Sequence, residues 1–237
     1  MRIASYIILF IISSILSIGC SSSAESWFEE AKARMKKGDL ITAREAVEKA
    51  LEKNPGYSEA YNLRGVINFQ EKKIDDAILD YQKSVDLKPS NYLGQLNLAS
   101  ALMEKNAWKD AVSPIDKAIQ LAPDSSAGYV QRGIIRAALH LIDLSKQDFT
   151  NSIKLNPKEI NAYYNRGNLY FQQDKLDSAI LDFEQSISIN SEYGKAYYAL
   201  GLSYYKKNKL EKSCLAFNQA NKLNYPGAKD ALKNLCK

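Results

Sequence analysis

Cysteine and histidine are scarce in this sequence, and their scarcity limits the chemistry that the chain supports. Three cysteines among 237 residues are too few for a disulfide-rich scaffold or a four-cysteine metal site. His140 is the single histidine, which excludes any metal or catalytic site that needs two. Glycine-rich phosphate loops and carboxylate clusters are also missing. We therefore expect no catalytic activity, no metal and no cofactor.

Long runs of one charge sign are missing as well. The formal net charge is +5, but no block of lysine and arginine is long enough to form a nucleic-acid-binding arm. The sequence also lacks a basic stripe with interleaved aromatic residues. We therefore expect no nucleic-acid partner.

The beginning of the chain differs in composition from the rest. Arg2 supplies a positive start, and residues 6–18 are apolar except for serines, a run too short to span a bilayer comfortably. Small residues and Cys20 follow. This pattern predicts a secretory signal peptide over residues 1–19.

The residues around Cys20 suggest how the chain is anchored. The stretch Leu16-Ser17-Ile18-Gly19-Cys20 resembles the lipobox of bacterial lipoproteins, although Ser17 stands where leucine is commoner. The resemblance implies acylation of Cys20, a short tether over residues 20–23 and stable anchoring by several acyl chains. The serine after Cys20 resembles an outer-membrane sorting pattern, so we expect an envelope protein that faces the periplasm. An uncleaved anchor and an ordinary cleaved signal are the alternatives.

Three sets of residues recur along the remaining chain with one spacing. They are a proline ladder, a glycine ladder in which Ala31 and Ala99 replace glycine, and a small-residue ladder. Consecutive members lie thirty-four residues apart or a multiple of that: Pro55, Pro89, Pro123, Pro157; Gly65, Gly133, Gly167, Gly201; Ala43, Ala77, Ala111, Ser145, Ala179, Ser213. Residues 162–188 illustrate the unit, two amphipathic helices with a break at Asp174-Lys175.

A helix–turn–helix unit with this period resembles the tetratricopeptide repeat. The resemblance implies an all-α fold, a right-handed α-solenoid of about six repeats, over 24–57, 58–91, 92–125, 126–159, 160–193 and 194–227. Small residues at the glycine and alanine ladders let the two helices of a repeat approach closely. The aromatic side chains that follow are expected to fill the space between neighbouring repeats: Tyr81, Phe149, Phe183, Phe217.

Pro114 departs from the repeat pattern because it falls within a predicted second helix. Proline lacks the N–H that a helix interior needs, so it should kink this helix or shift its start. Residues 228–237 predict a capping helix over the last repeat. Cys214 and Cys236 could form a disulfide that clamps this cap, or they could be buried free thiols.

Three repeats share a charged pattern. Each has arginine before its glycine and aspartate before its second-helix aromatic residue: Arg64 and Asp80, Arg132 and Asp148, Arg166 and Asp182. In the other repeats both positions change together, to Glu30 and Ala46, Leu98 and Pro114, Leu200 and Ala216. We predict an ion pair between the two helices of each charged repeat, with a structural role.

The resemblance also implies where a partner binds, because first helices line the inner groove in this family. Matching the repeats predicts a peptide-binding groove lined by Phe28, Asn62, Phe69, Leu96, Val130, Ile134, Tyr164, Asn168, Phe171, Tyr198, Leu202 and Tyr205. Aromatic and aliphatic pockets with a few amides suit an extended peptide or a partner helix. For each residue alone, packing within the scaffold is the alternative to ligand contact.

Two functional hypotheses follow. The first is a lipid-anchored adaptor that binds an envelope protein or peptide through the groove. The second is a structural component that self-associates within an envelope complex. A third hypothesis, an enzyme, is disfavoured because His140 falls in a turn with no second catalytic group.

Overall fold

The computed structural model of the chain describes residues 23–236, which form thirteen α-helices and no strand. The predicted signal peptide and Cys20 lie outside these residues. The first helices of the six pairs are α1 (Ala24–Lys36), α3 (Ser58–Gln70), α5 (Tyr92–Glu104), α7 (Ser126–Ala138), α9 (Ile160–Gln172) and α11 (Gly194–Lys206). The second helices are α2 (Leu40–Lys53), α4 (Ile74–Leu87), α6 (Val112–Leu121), α8 (Ile142–Leu155), α10 (Leu176–Ile189) and α12 (Leu210–Lys222). The last helix is α13 (Ala228–Leu235). The predicted all-α solenoid is confirmed.

The turn between the two helices of each repeat reverses the chain through one left-handed residue. Gly38 has φ +76° in the first repeat, and His140 has φ +60° at the equivalent place in the fourth. The same position is left-handed in the others: Lys72, Asn106, Asp174, Asn208. This geometry lets Gly38 N–H donate to Met35 O and Asp39 N–H donate to Arg34 O, which satisfies the end of α1.

The glycine ladder makes room for an aromatic ring of the same repeat. A Cβ added at Gly65 would lie 2.6 Å from Cε1 of Tyr81, and one added at Gly133 would lie 2.5 Å from Cε1 of Phe149. Gly167 and Gly201 meet Phe183 and Phe217 in the same way. These rings therefore lie over the glycines of their own repeats. As expected, three of them also share a core cluster with residues of the following repeat: Tyr81, Phe149, Phe183.

The predicted ion pairs are confirmed in all three charged repeats. Nε of Arg64 donates to Oδ2 of Asp80 at 2.9 Å while Nη2 donates to Oδ1 at 2.6 Å. Nε and Nη2 of Arg132 donate to Asp148 in the same way, and those of Arg166 donate to Asp182. Because the three carboxylates are buried, the pairs tie each first helix to its second helix.

Pro114 shortens the second helix of the third repeat, as predicted. Helix α6 begins at Val112, so it has ten residues, whereas α4 has fourteen. Pro114 then lies in the first turn of α6, where its missing N–H leaves no helical bond unmade. Residues 108–111 form turns instead of helix.

The cap closes the C-terminal end of the array. Gly227 has φ +81°, a left-handed conformation that redirects the chain into α13. Ala228 and Ala231 are buried against the last repeat. The sulfur atoms of Cys214 and Cys236 are bonded, with Cα atoms 5.7 Å apart, so α12 and the end of the cap are joined covalently.

Candidate functional site

The first helices form one continuous side of the molecule. Consecutive first helices touch each other along the array, from α1 with α3 to α9 with α11. Their side chains also bond across repeat boundaries, since Nδ2 of Asn97 donates to Oδ1 of Asn62 at 3.0 Å. This first-helix groove, lined by α1, α3, α5, α7, α9 and α11, is the surface on which the predicted binding residues fall.

The N-terminal part of the groove is aromatic with a cation above it. The rings of Phe28 and Tyr57 lie 4.9 Å apart between centroids. Nζ of Lys32 lies 5.4 Å from the centroid of Phe28 and also bonds Glu29 at 2.9 Å. The cation is therefore already neutralised by its own helix.

The middle of the groove combines aliphatic side chains with paired amides. Leu96 and Ile134 are half-buried, whereas Val130 is only 7% exposed and belongs to the groove floor. Nε2 of Gln131 donates to Oγ of Ser100 at 2.8 Å, which links the third and fourth repeats. Amides here therefore hold neighbouring repeats in register.

The C-terminal part carries the densest aromatic cluster. Tyr164 meets Tyr193 edge-on at 5.6 Å, and Nζ of Lys195 lies 4.6 Å from the centroid of Tyr164. The hydroxyl of Tyr193 donates to Oδ1 of Asn161 at 2.8 Å. Burial lowers the pKa of the Lys195 ammonium and raises the pKa of Tyr193 to about 12. Lys195 contacts two aromatic rings here, so its ammonium can form an ion pair with an anionic group of a partner.

The last repeat extends this cluster toward the cap. The ring of Tyr198 lies 5.2 Å from Tyr225 and 5.5 Å from Phe217. Nζ of Lys206, at the end of α11 in the same repeat, lies 4.9 Å from the centroid of Phe171 in the fifth repeat. Tyr205 is 42% exposed and stands furthest into solvent among the predicted residues.

The structure thus brings the predicted groove residues to one surface with different exposures. Most are half-buried: Phe28, Asn62, Phe69, Leu96, Ile134, Tyr164, Asn168, Phe171, Tyr198, Leu202. Tyr164 and Tyr198 each pack on two neighbouring rings, so they support the scaffold as well as line the groove. Their contact with a ligand stays a prediction.

Sequence reasoning missed several residues that complete the groove. Tyr57 and Tyr193 each precede a first helix and cover an aromatic residue of their own repeat, Phe28 and Tyr164. They occupy the same position in repeats one and five, a signal that the repeat alignment contains. Asn97 and Gln131 also share one position in successive repeats, and their amides reach the repeat before.

Within residues 23–236 the structure brings together no group of three or more histidine, cysteine, aspartate or glutamate side chains able to hold a metal. His140 is exposed in its turn. None of the helices in this part of the chain is long and apolar enough to cross a bilayer.

Comparison with known proteins agrees with this architecture. Three family models, each described as tetratricopeptide repeat, match residues 28–92 and 73–126, 160–193, and 194–225. A curated relative, the protein STIP1 homolog of Dictyostelium discoideum, is 27% identical over 81 residues, which are 34% of this chain and 14% of that protein. The match therefore spans about a seventh of the relative's length.

Solved structures show the same fold over most of the chain. MamA is 26% identical with a TM-score of 0.61, covering 73% of this chain and 94% of MamA. PilW, described as a type IV pilus biogenesis factor, is 17% identical with a TM-score of 0.81, covering 89% of this chain and 98% of PilW. The chain has the architecture of a tetratricopeptide-type scaffold for protein–protein interaction.

Proposed function

Because the chain belongs to the tetratricopeptide-repeat family, we propose that it binds a peptide or partner helix in its first-helix groove. We further propose that it is a lipid-anchored adaptor of the bacterial cell envelope, anchored through acylated Cys20 and facing the periplasm. The single observation that carries the groove assignment is the aromatic cluster of repeats five and six.

This cluster has the composition of a binding hot spot. Tyrosine and phenylalanine bury a large area with few rotatable bonds, so they add affinity at low entropic cost. Tyr164, Tyr193 and Tyr198 are half-buried and already ordered by ring contacts. Asn168 on the same helix as Tyr164 is half-buried and offers both donor and acceptor to a ligand backbone.

The charge of the C-terminal groove indicates the kind of ligand. Lys195 carries an ammonium between two rings, beside the phenol of Tyr193 and the amide of Asn161 to which that phenol donates. A ligand with apolar side chains and an acidic residue or carboxyl terminus at this end fits such a surface. The aliphatic middle of the groove then receives the apolar residues that precede the acidic group.

The groove is tested by site-specific photocrosslinking of the full chain in the source organism. A photoreactive residue at Tyr205, on α11, should capture a partner protein, and the same residue at Leu215 serves as control. Leu215 is 61% exposed on α12 of the same repeat. The captured partner should be lost when Asn168→Ala is added, because this exchange removes amide contacts and leaves the ring packing intact.

The outcomes separate the hypotheses. Equal capture at Leu215 and Tyr205 would place binding outside the groove. Recovery of the chain crosslinked only to itself would favour the self-associating structural component instead of the adaptor.

The anchor is tested separately with Cys20→Ser. Labelling with an alkyne fatty acid should disappear from this variant, and the protein should leave the membrane fraction. Cys214→Ser is the control, since its sulfur is bonded to Cys236 and is no acylation site. Persistent membrane retention without label would support an uncleaved signal anchor.

A further inference from the structure

A crevice opens on the second-helix side of the molecule, between repeats two and three. It encloses a cavity of about 460 Å³ between α4 and α6. Its apolar lining includes Leu98 and Leu102 of α5 and Pro114 of α6. Leu98 is 4% exposed and Pro114 is buried, so both belong to a packed floor.

Two carboxylates complete the lining, and no cationic side chain joins them. Asp86 lies on α4, and Asp110 lies in the turn before α6. Both residues are exposed, and no ion pair within residues 23–236 involves either of them. Asp86 accepts a hydrogen bond from Gln82 of its own helix at 2.8 Å. The rim is thus negative above an apolar floor.

The equivalent positions of other repeats explain what is missing here. Where the third repeat has Leu98, the second has Arg64, whose guanidinium bonds Asp80 and lies 5.3 Å from the ring of Tyr61. The fourth has Arg132, which bonds Asp148 of its own repeat and Asp116 of the repeat before at 2.8 Å. In those crevices the chain supplies its own cation between second-helix carboxylates.

Pro114 is the reason that the third repeat differs. It occupies the place of the aspartate that would hold such an arginine, and it moves the start of α6 to Val112. Asp110 therefore stays in a turn at the rim instead of within a helix. The third repeat keeps the negative surroundings of its neighbours but has lost the internal guanidinium.

The sixth repeat provides an internal contrast, because it has also lost the arginine. Its crevice is lined by Leu200, Tyr204 and Leu215, with Lys212 as the charged lining residue. Lys212 stands where the third repeat has Asp110, so a cation would not meet a pair of carboxylates there as it would between Asp86 and Asp110. Loss of the arginine alone therefore does not create the negative rim.

We propose that the crevice between repeats two and three binds an arginine or lysine side chain from an aliphatic-flanked segment of a partner protein. The aliphatic stem lies along Leu98, Leu102 and Pro114, and the cationic head lies between Asp86 and Asp110. Long basic side chains combine an apolar stem with a charged end in this way. The site is on the side opposite to the first-helix groove and is independent of it.

A subtractive selection tests the proposal. A phage library of random peptides is selected on the full chain after depletion on Asp86→Asn/Asp110→Asn. Peptides that survive depletion should carry arginine or lysine beside leucine, isoleucine or methionine. Survivors without a basic residue, or no survivors at all, would overturn the proposal.

The strongest surviving peptide is then synthesised with its basic residue and with a neutral replacement, citrulline for arginine or norleucine for lysine. The basic peptide should bind the unmodified chain about tenfold more tightly than the neutral one, as two exposed ion pairs allow. The preference should vanish in Asp86→Asn/Asp110→Asn. It should persist in Glu211→Gln/Asp230→Asn, which removes the same charge from exposed positions elsewhere.

A last variant separates this site from the groove. Binding of the selected peptide should be unchanged in Asn168→Ala/Tyr205→Ala, which alters only the first-helix side. A preference for the basic peptide that survives loss of both aspartates, or that falls with the groove variant, contradicts the assignment.

Discussion

Repeats two and three are neighbours with the same backbone, yet they hold their helices together by different means. The second repeat places Gly65 beneath the ring of Tyr81 and pairs Arg64 with Asp80. In the third repeat, Ala99 and Ile115 stand at the positions of the glycine and the tyrosine. Leu98 and Pro114 stand at the positions of the arginine and the aspartate. All four of these third-repeat residues are buried.

The difference shows that contacting positions change as pairs. A methyl group on α5 is accompanied by a smaller side chain on α6, so the volume between the helices is kept. A leucine on α5 is likewise accompanied by loss of the carboxylate, so no buried charge is left without its partner. The pair is therefore the unit that the fold constrains, and four exchanges in the second repeat test this statement.

The largest effect is expected when one member of the charged pair is removed. Asp80→Ala leaves Arg64 and Asn68 without their shared acceptor and should destabilise the second repeat by about 2–3 kcal/mol. Native-state hydrogen exchange of α3 and α4 measures this loss locally, which suits a repeat array.

The matched double exchange is Arg64→Leu/Asp80→Ala, which copies the sixth repeat, Leu200 and Ala216. Its free energy of unfolding should lie within about 1 kcal/mol of that of the unmodified chain, since no unpaired charge is left. A double variant as unstable as Asp80→Ala would show that the pair itself supplies the stability.

A smaller loss is expected from Gly65→Ala. The new Cβ would lie 2.6 Å from Cε1 of Tyr81, a ring that is 2% exposed and has no room to retreat. We expect destabilisation of about 1–3 kcal/mol, as for other overpacked cores. The double variant Gly65→Ala/Tyr81→Ile has the residues of the third repeat, Ala99 and Ile115, at these two positions. The second exchange should therefore recover part of the lost stability, and a double-mutant cycle should show favourable coupling. Strict additivity would contradict the paired-volume explanation.

The sixth repeat extends the comparison through its pH dependence. The hydroxyl of Tyr204 donates to Glu184 of the fifth repeat at 2.7 Å, and burial with this carboxylate raises the pKa of Tyr204 to about 12. An acid whose folded pKa is raised stabilises the fold fully below its unfolded pKa of about 10, and this stabilisation is lost as the pH rises through about 12.

Tyr204→Phe should therefore cost about 1 kcal/mol at neutral pH. Its stability deficit should shrink between about pH 10 and 12. Chemical unfolding at a series of pH values measures both quantities. A deficit that stays constant over this range would show that the Tyr204 hydroxyl has the same pKa in the folded and the unfolded chain.

The smallest effect on stability is expected at the turns between helices, where repeats two and three also differ. Lys72 and Asn106 are both left-handed, with φ +63° and +59°. Asparagine tolerates this conformation better than lysine, and glycine adopts it freely. Lys72→Gly should stabilise the second repeat by about 0.5 kcal/mol, whereas Asn106→Gly should be close to neutral. Equal gains in thermal unfolding would show that the side chain makes no difference at these turns.

The repeat architecture could be predicted from the sequence because each repeat builds itself from nearby residues. Each first helix begins where the period places it, from Ala24 to Gly194. Arg64 and Asp80 were predictable partners because they change together with their counterparts in other repeats. The shifted start of α6 followed from the chemistry of Pro114 alone.

The groove could be predicted as a surface but less well as a set of contacts. Tyr57 and Tyr193 were missed because they lie between helices, where periodicity of the apolar face gives no signal. The double packing of Tyr164 and Tyr198 was also invisible, since one ring partner comes from the following linker.

The sequence by itself determined the period, the helix pairs, the charged pairs and the position of the cap, because these depend on residues within one repeat. Only the tertiary structure decided how repeats meet. It showed Arg132 bridging to Asp116, Lys195 between two rings, and the negative crevice beside Leu98. Asp116 and Asp148 each lie sixteen residues from Arg132, so spacing along the sequence cannot choose between such partners. The packing of the assembled solenoid decides which of them are in contact.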